Sequence, residues 1–165
     1  MYNITMNTRQ GRGAIQSPKS KKEEQEFLSK KDIVLCSVCN AAYHGKSWHH
    51  VLEGHQKLSK GIKFSVCPAC QMIKEKKYEG QVIVKNVSRK KELLNLIKNI
   101  GERAFRRDVL DRIVKIKEGK EIEVLTTENQ LEVSIGKQVK RALKGKMDIK
   151  WSKGESVARV IVELD

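Results

Sequence analysis

The chain has 165 residues and carries 34 Lys and Arg against 20 Asp and Glu, a formal charge of +14 at pH 7. That length allows one compact domain plus a small satellite. No apolar run approaches the roughly 18 residues that span a bilayer, so a soluble protein is expected. The excess charge is spread out, +3 over residues 1–35, +4 over 36–80 and +7 over 81–165, and points to an anionic partner, nucleic acid foremost.

Residues 1–26 are poor in large apolar groups and are expected to form a basic, disordered tail, because they cannot bury enough surface to order themselves. Arg9 and Arg12, in Arg9-Gln10-Gly11-Arg12-Gly13, are candidate contacts of an RNA-binding arm. A solubilising tail without a partner is an equal alternative. Met1 to Met6 has no apolar core, so no secretion signal is read here, and the expected compartment is the reducing cytoplasm.

Residues 27–80 hold the chain's four cysteines, arranged as two C-x-x-C pairs, Cys36/Cys39 and Cys67/Cys70, with 27 residues between them. Two such turns supply four thiolates for a tetrahedral metal, which predicts a zinc ribbon with one structural Zn²⁺. Four Cys ligands leave no open position for substrate, and iron is the other metal this donor set accepts. The rival is a dithiol redox centre at Cys67-Pro68-Ala69-Cys70, which needs a strand before it and a helix after it but leaves the second pair unexplained. Lys46, Lys63 and Lys74 are candidates to offset the site's negative charge. His44, His49, His50 and His55 lie between the pairs and read better as loop histidines than as ligands.

Ile33-Val34-Leu35 is expected as the ribbon's first strand. Tyr43 and Trp48 flank a Gly45-Lys46 turn. Trp48 with Lys46 is the candidate RNA contact, a base on the ring and a phosphate on the ammonium. The alternative is that the rings are simply the ribbon's hydrophobic filler. A short helix is expected over 49–60, ended by Gly61.

Residues 81–165 read as a separate α+β module of order β-α-β-β-α-β-β. Val82-Ile83-Val84 is the first strand, and Ser88 caps a helix with apolar positions Leu93, Leu94, Ile97 and Ile100, which Gly101 ends or kinks. Val114/Ile116 and Ile122/Val124 form a hairpin about Gly119. Thr127-Glu128-Asn129-Gln130 predicts a capping box for the next helix. Two further strands, Met147/Ile149/Trp151 and Val160/Val162/Leu164, close the chain around Gly154. The first six elements match a ferredoxin-like βαββαβ arrangement, two helices on one face of an antiparallel sheet, with one strand more at the end.

The second long helix carries Lys137, Lys140, Arg141 and Lys144 on the side opposite its apolar face, and Lys146 follows. These five are candidate phosphate contacts, with an ordinary solvated face as the even alternative. The strands offer only Trp151 as an aromatic, which argues against base stacking on the sheet. Lys91 to Ile113 superficially resembles a helix-turn-helix, but Asp108 and Asp111 there oppose phosphate.

Cys36-x-x-Cys39-x-Ala41-x-Tyr43-x-Gly45-x-x-Trp48 and Cys67-Pro68-Ala69-Cys70 resemble a bacterial family of small zinc-ribbon proteins. The resemblance continues through Glu79-Gly80, Arg112-Ile113, Thr126-Thr127-Glu128, Ile135-Gly136 and Lys144-Gly145-Lys146, covering roughly residues 33–162. That family is distantly similar to the nonsense-mediated-decay protein three family, adaptors for export of the large ribosomal subunit. The resemblance implies association with the ribosome or its RNA, with the ribbon as a docking element.

The expected function is therefore a non-enzymatic, cytoplasmic RNA- or ribosome-binding protein. A zinc-ribbon adaptor for a protein partner in transcription or stress regulation, and a thiol oxidoreductase, are the alternatives. No glycine-rich nucleotide loop, Ser/His/Asp set or spaced carboxylate pair stands out.

Overall fold

A computed structural model describes residues 33–50, 62–151 and 157–165. The expected tail with Arg9 and Arg12, His55 and the turn at Gly154 lie outside the described residues, as does the expected helix over 49–60 except at His49, which ends a strand, and His50, which is not helical. By its contacts the chain divides into two units, Met1–Cys67 with Arg106–Val109 and Pro68–Phe105 with Leu110–Asp165.

The first unit holds a four-stranded sheet of β1 (Val34–Cys36), β2 (Ala42–His44), β3 (Ser47–His49) and β4 (Lys63–Ser65), in the order β3-β2-β1-β4. β1 and β2, and β2 and β3, are antiparallel, while β1 and β4 are parallel. Gly45 (φ 56°) and Lys46 (φ 69°) make the two-residue link between β2 and β3. Both lie in the left-handed region, as a tight hairpin with native twist demands.

The second unit is α+β. It contains α1 (Pro68–Glu75), β5 (Gly80–Lys85), α2 (Lys90–Arg107, whose last two residues belong to the first unit), β6 (Ile113–Glu118), β7 (Ile122–Thr126), α3 (Asn129–Leu143), β8 (Gly145–Trp151) and β9 (Ala158–Leu164). Its sheet runs β6-β7-β5-β9-β8. Val82, Val84, Ile122, Val124, Val160 and Val162 from the strands form one buried core with Leu93, Ile97 and Ile100 of α2 and Leu131, Ile135 and Val139 of α3. The period of two in the strands and of three to four in the helices brings these residues to one layer. No described helix is long and apolar enough to cross a membrane.

Three local expectations are corrected. The sheet is not purely antiparallel: β9, which forms the expected hairpin with β8, lies between β5 and β8 and pairs parallel with β5, so the sheet is mixed. Its apolar run Val160-Ile161-Val162 suits a strand bonded on both sides, whereas β8, with exposed Lys146, Asp148 and Lys150, suits an edge. Gly101 does not end its helix; α2 runs through it, and the missing Cβ makes room for the Ile113 side chain. That continuity also removes the helix-turn-helix reading. Finally, the capping box does not form. Glu128 is the N-cap of α3 without a side-chain cap bond, and the Thr127 hydroxyl instead donates to the Leu110 carbonyl at 2.6 Å.

Candidate metal centre

The first C-x-x-C turn closes on its own backbone. Cys36 N–H donates to the Ala41 carbonyl (2.7 Å) and Asn40 N–H to the Cys36 carbonyl (2.9 Å). Asn40 sits at φ 60°, a left-handed position that asparagine tolerates better than most residues. The turn is fixed to β4 by Ser37 N–H donating to Ser65 O at 2.9 Å. Cys67 follows β4 and immediately precedes α1, where Pro68 takes the first helical position without leaving an amide unpaired.

The four sulfurs of Cys36, Cys39, Cys67 and Cys70 all lie within 4.8 Å of one another. Cys36, Cys67 and Cys70 are buried, Cys39 is partly exposed, and none is in a disulfide. A tetrahedron with metal–sulfur bonds of about 2.3 Å has edges of roughly 3.8 Å. The Cys39–Cys67 separation is 3.7 Å, and it crosses from one pair to the other. Four cysteines so arranged can bind a metal ion, and they complete its coordination without a water or substrate position.

Amides also favour thiolate here. Cys67 N–H donates to Cys36 Sγ at 3.3 Å. Burial pushes the Cys36 thiol up, but backbone hydrogen bonds from Cys67, Cys39 and Val38 outweigh it and bring the value to about 6.

A charged contact comes from a residue that sequence spacing gave no reason to choose. Arg112 Nη1 donates to Cys70 Sγ at 3.4 Å, and its guanidinium carbon lies 4.8 Å from the centre of the Phe105 ring. Thr127 fixes the backbone beneath it: Arg112 N–H donates to Thr127 Oγ1, and Thr127 N–H to Arg112 O, both at 2.9 Å. Lys46, Lys63 and Lys74, expected to offset the thiolate charge, do not share the contact that Arg112 makes with Cys70. Lys46 sits in the β2–β3 turn, while Lys63 and Lys74 are exposed on β4 and the last turn of α1.

The histidines among the described residues stand outside the cysteine cluster. His44 and His49 stack on each other with ring centres 4.1 Å apart, and Ser47 Oγ lies 2.7 Å from His49 Nε2. Burial holds the His49 imidazole below its usual value, against an opposing pull from Asp108.

The remaining candidates fall into separate groups. Trp48 is directly opposite Tyr43 on neighbouring strands, their ring centres 5.4 Å apart at 54°, and Tyr43 is opposite Val34. The two rings thus pack against each other, with Tyr43 remaining at the surface. Lys137, Lys140, Arg141 and Lys144 are all exposed on or just after α3. The only acidic residue of that helix, Glu132, is completely buried, so its exposed side is free of negative charge. Arg103 of α2 donates to Gln138 of α3 at 2.8 Å and adds a fifth cation beside the group. Lys146 does not join them. It is on β8 opposite Glu163, on the sheet face turned away from the helices. No family model matches the chain, and no curated protein matches it significantly.

Proposed function

We propose that this chain is a non-enzymatic, cytoplasmic zinc-ribbon protein that binds RNA, with the ribosome as the assembly it engages. Zinc is the metal best suited to four thiolates in a closed tetrahedral site, and its role is to staple a ribbon too small to carry its own core. The resemblance to zinc-ribbon proteins related to the nonsense-mediated-decay protein three family supports the same reading.

The observation that carries the RNA assignment is the exposed side of α3. Lys137, Lys140, Arg141 and Lys144 make no ion pair among the described residues, and no acidic side chain interrupts them. Solvated helix faces ordinarily mix both signs. A one-sign face at a helix C-terminus attracts phosphate and releases counterions on binding, which makes affinity steeply dependent on salt.

A protein-adaptor role is the second reading, favoured by Val38 and Phe64, apolar side chains of the ribbon that are 67% and 69% exposed. Sedimentation of the tagged protein from cell extract separates the two. Migration with a ribosomal subunit at low salt, lost at high salt and lost when the four α3 cations become Gln, is the expected result. A protein that stays at the top of the gradient at both salts overturns the ribosomal reading and moves the adaptor forward.

A further inference from the structure

The sheet face turned away from α2 and α3 carries a hydrogen-bonded chain that crosses four strands. Lys117 Nζ on β6 lies 2.6 Å from Glu123 Oε2 on β7. Gln81 Nε2 on β5 donates to Glu123 Oε1, and Arg159 Nε on β9 donates to Gln81 Oε1 at 2.5 Å. Gln81 is only 7% exposed, so the amide at the centre of this chain is locked by packing as well as by its bonds. Arg159 is therefore tethered through Nε. Its two Nη groups have no partner among the described residues.

Across the β8–β9 register, Arg159 stands directly opposite Lys150. Lys150 is exposed and makes no ion pair among the described residues. Two like charges directly opposite each other weaken a strand pair. Among the described residues, Glu123 attracts Arg159 from across the face while it is itself paired with Lys117, and neither Asp148 nor Glu163 lies within ion-pair distance of Arg159 or Lys150. Protection of a sheet edge accounts for a lysine on β8. It does not account for an arginine on an interior strand held in place by a buried glutamine.

We propose that Arg159 and Lys150 form a phosphate-binding site on the open face of this sheet. A planar guanidinium presents two parallel N–H donors to one oxyanion, and the adjacent ammonium supplies a second charge without demanding a fixed geometry. An anion there would meet the two positive charges that the strand register sets side by side. Among the described strand residues Trp151, opposite buried Ala158, belongs to the other face, so the strands offer no aromatic ring here to stack a base. The ligand is thus read through its phosphate alone. The source of that phosphate rests on the RNA reading above: the backbone of a base-paired RNA, whose bases need no stacking platform.

The test uses the full chain loaded with zinc, titrated with a mixed-sequence RNA duplex and, separately, with inorganic phosphate. Nitrogen–proton spectra of the arginine side chains report on Arg159 Nε. Binding to the duplex is measured over a range of salt for Arg159→Gln, Lys150→Gln and the control Lys98→Gln on α2. The expected result is movement of the Arg159 Nε signal with both ligands, a loss of about tenfold for each site variant, and a salt slope about one unit shallower. Lys150→Gln removes an exposed edge side chain and keeps the test valid if Arg159→Gln perturbs the sheet. Duplex binding that both site variants retain as fully as Lys98→Gln overturns the site while leaving the RNA reading intact. An Arg159 signal that responds to phosphate in a protein without RNA affinity supports the site as one for free phosphate and overturns the RNA reading. An unmoved signal with either ligand overturns the site.

Discussion

A side chain on Gly80 would occupy the space that the Glu132 carboxyl and the Thr126 hydroxyl already fill. Gly80 opens β5 and is buried; Glu132, in the first turn of α3, has no exposed surface at all. The missing Cβ is what lets the helix's first turn settle onto the strand. Gly80→Ala is therefore expected to over-pack the junction and cost about 1–3 kcal/mol. A lower urea midpoint with an unchanged slope is the expected signature. A variant that unfolds with the wild type would show that the carboxyl has room to move.

The same carboxyl makes stability depend on pH. Among the described residues neither oxygen of Glu132 has a hydrogen bond of normal geometry; the Thr126 hydroxyl beside it, which donates to the Glu128 carbonyl at 2.9 Å, offsets the burial only weakly. Burial raises its pKa from the ordinary 4.5 to about 8, and the like charges of Glu79 and Glu128 act in the same direction. Between those two values the folded chain holds a proton that the unfolded chain releases. Glu132's contribution is thus most favourable at acidic pH, declines as pH rises through this window and levels off above it. Glu132→Gln keeps the shape and removes the titration, so its advantage over wild type should grow from acidic to mildly alkaline pH. Urea midpoints at several pH values check this, and a constant difference between the two proteins would refute it.

Removing the metal should affect the two units differently. The main buried core draws only on residues from Val82 to Leu164, and no residue of β1 to β4 belongs to it. Among the described residues, the first unit buries only Ile33 and Val109 as large apolar groups, beside Ala41, Ala42, Cys36 and Cys67. A strong chelator, or Cys36→Ser, is expected to collapse the amide signals of β1 to β3 while those of β5 and β9 persist. Metal analysis should find one ion per chain before treatment. A ribbon whose spectrum is unchanged without metal would sink the assignment.

Much of this arrangement was legible in the sequence, for identifiable reasons. Two C-x-x-C pairs announce a cluster because four soft ligands in two tight turns have few other uses. The alternation in Ile122–Thr126 and the helical period from Leu131 to Leu143 report one buried layer each. Strand order was less legible, since pattern gives an element's type before its neighbours; yet the charges of β8 and the apolar run of β9 held the clue. Thr127 was misread because a hydroxyl before a helix can cap it or bond elsewhere, and here the Leu110 carbonyl takes it. Glu132 gave no warning: an acidic residue in a helix's first turn ordinarily faces water and the helix dipole.

Arg112 is the residue whose contact no spacing could reveal, since it stands 42 positions from Cys70. Its N–H···S bond stabilises charge on one ligand, while Phe105 beneath the guanidinium and Thr127 at its backbone hold it in place. Arg112→Gln removes the charge and the fork, and is expected to weaken metal binding about 10- to 100-fold, as loss of a partner to a ligand does. Arg112→Lys should recover only part of this, because an ammonium matches neither the flat contact with the ring nor the guanidinium's geometry. Thr127→Val, which leaves the guanidinium in the chain but loosens its support, should fall between wild type and Arg112→Gln. Competition against a chromophoric chelator orders the four proteins. Equal affinities across the series would mean that the guanidinium contributes nothing to the metal, and that its contact with Cys70 serves only the packing of the loop.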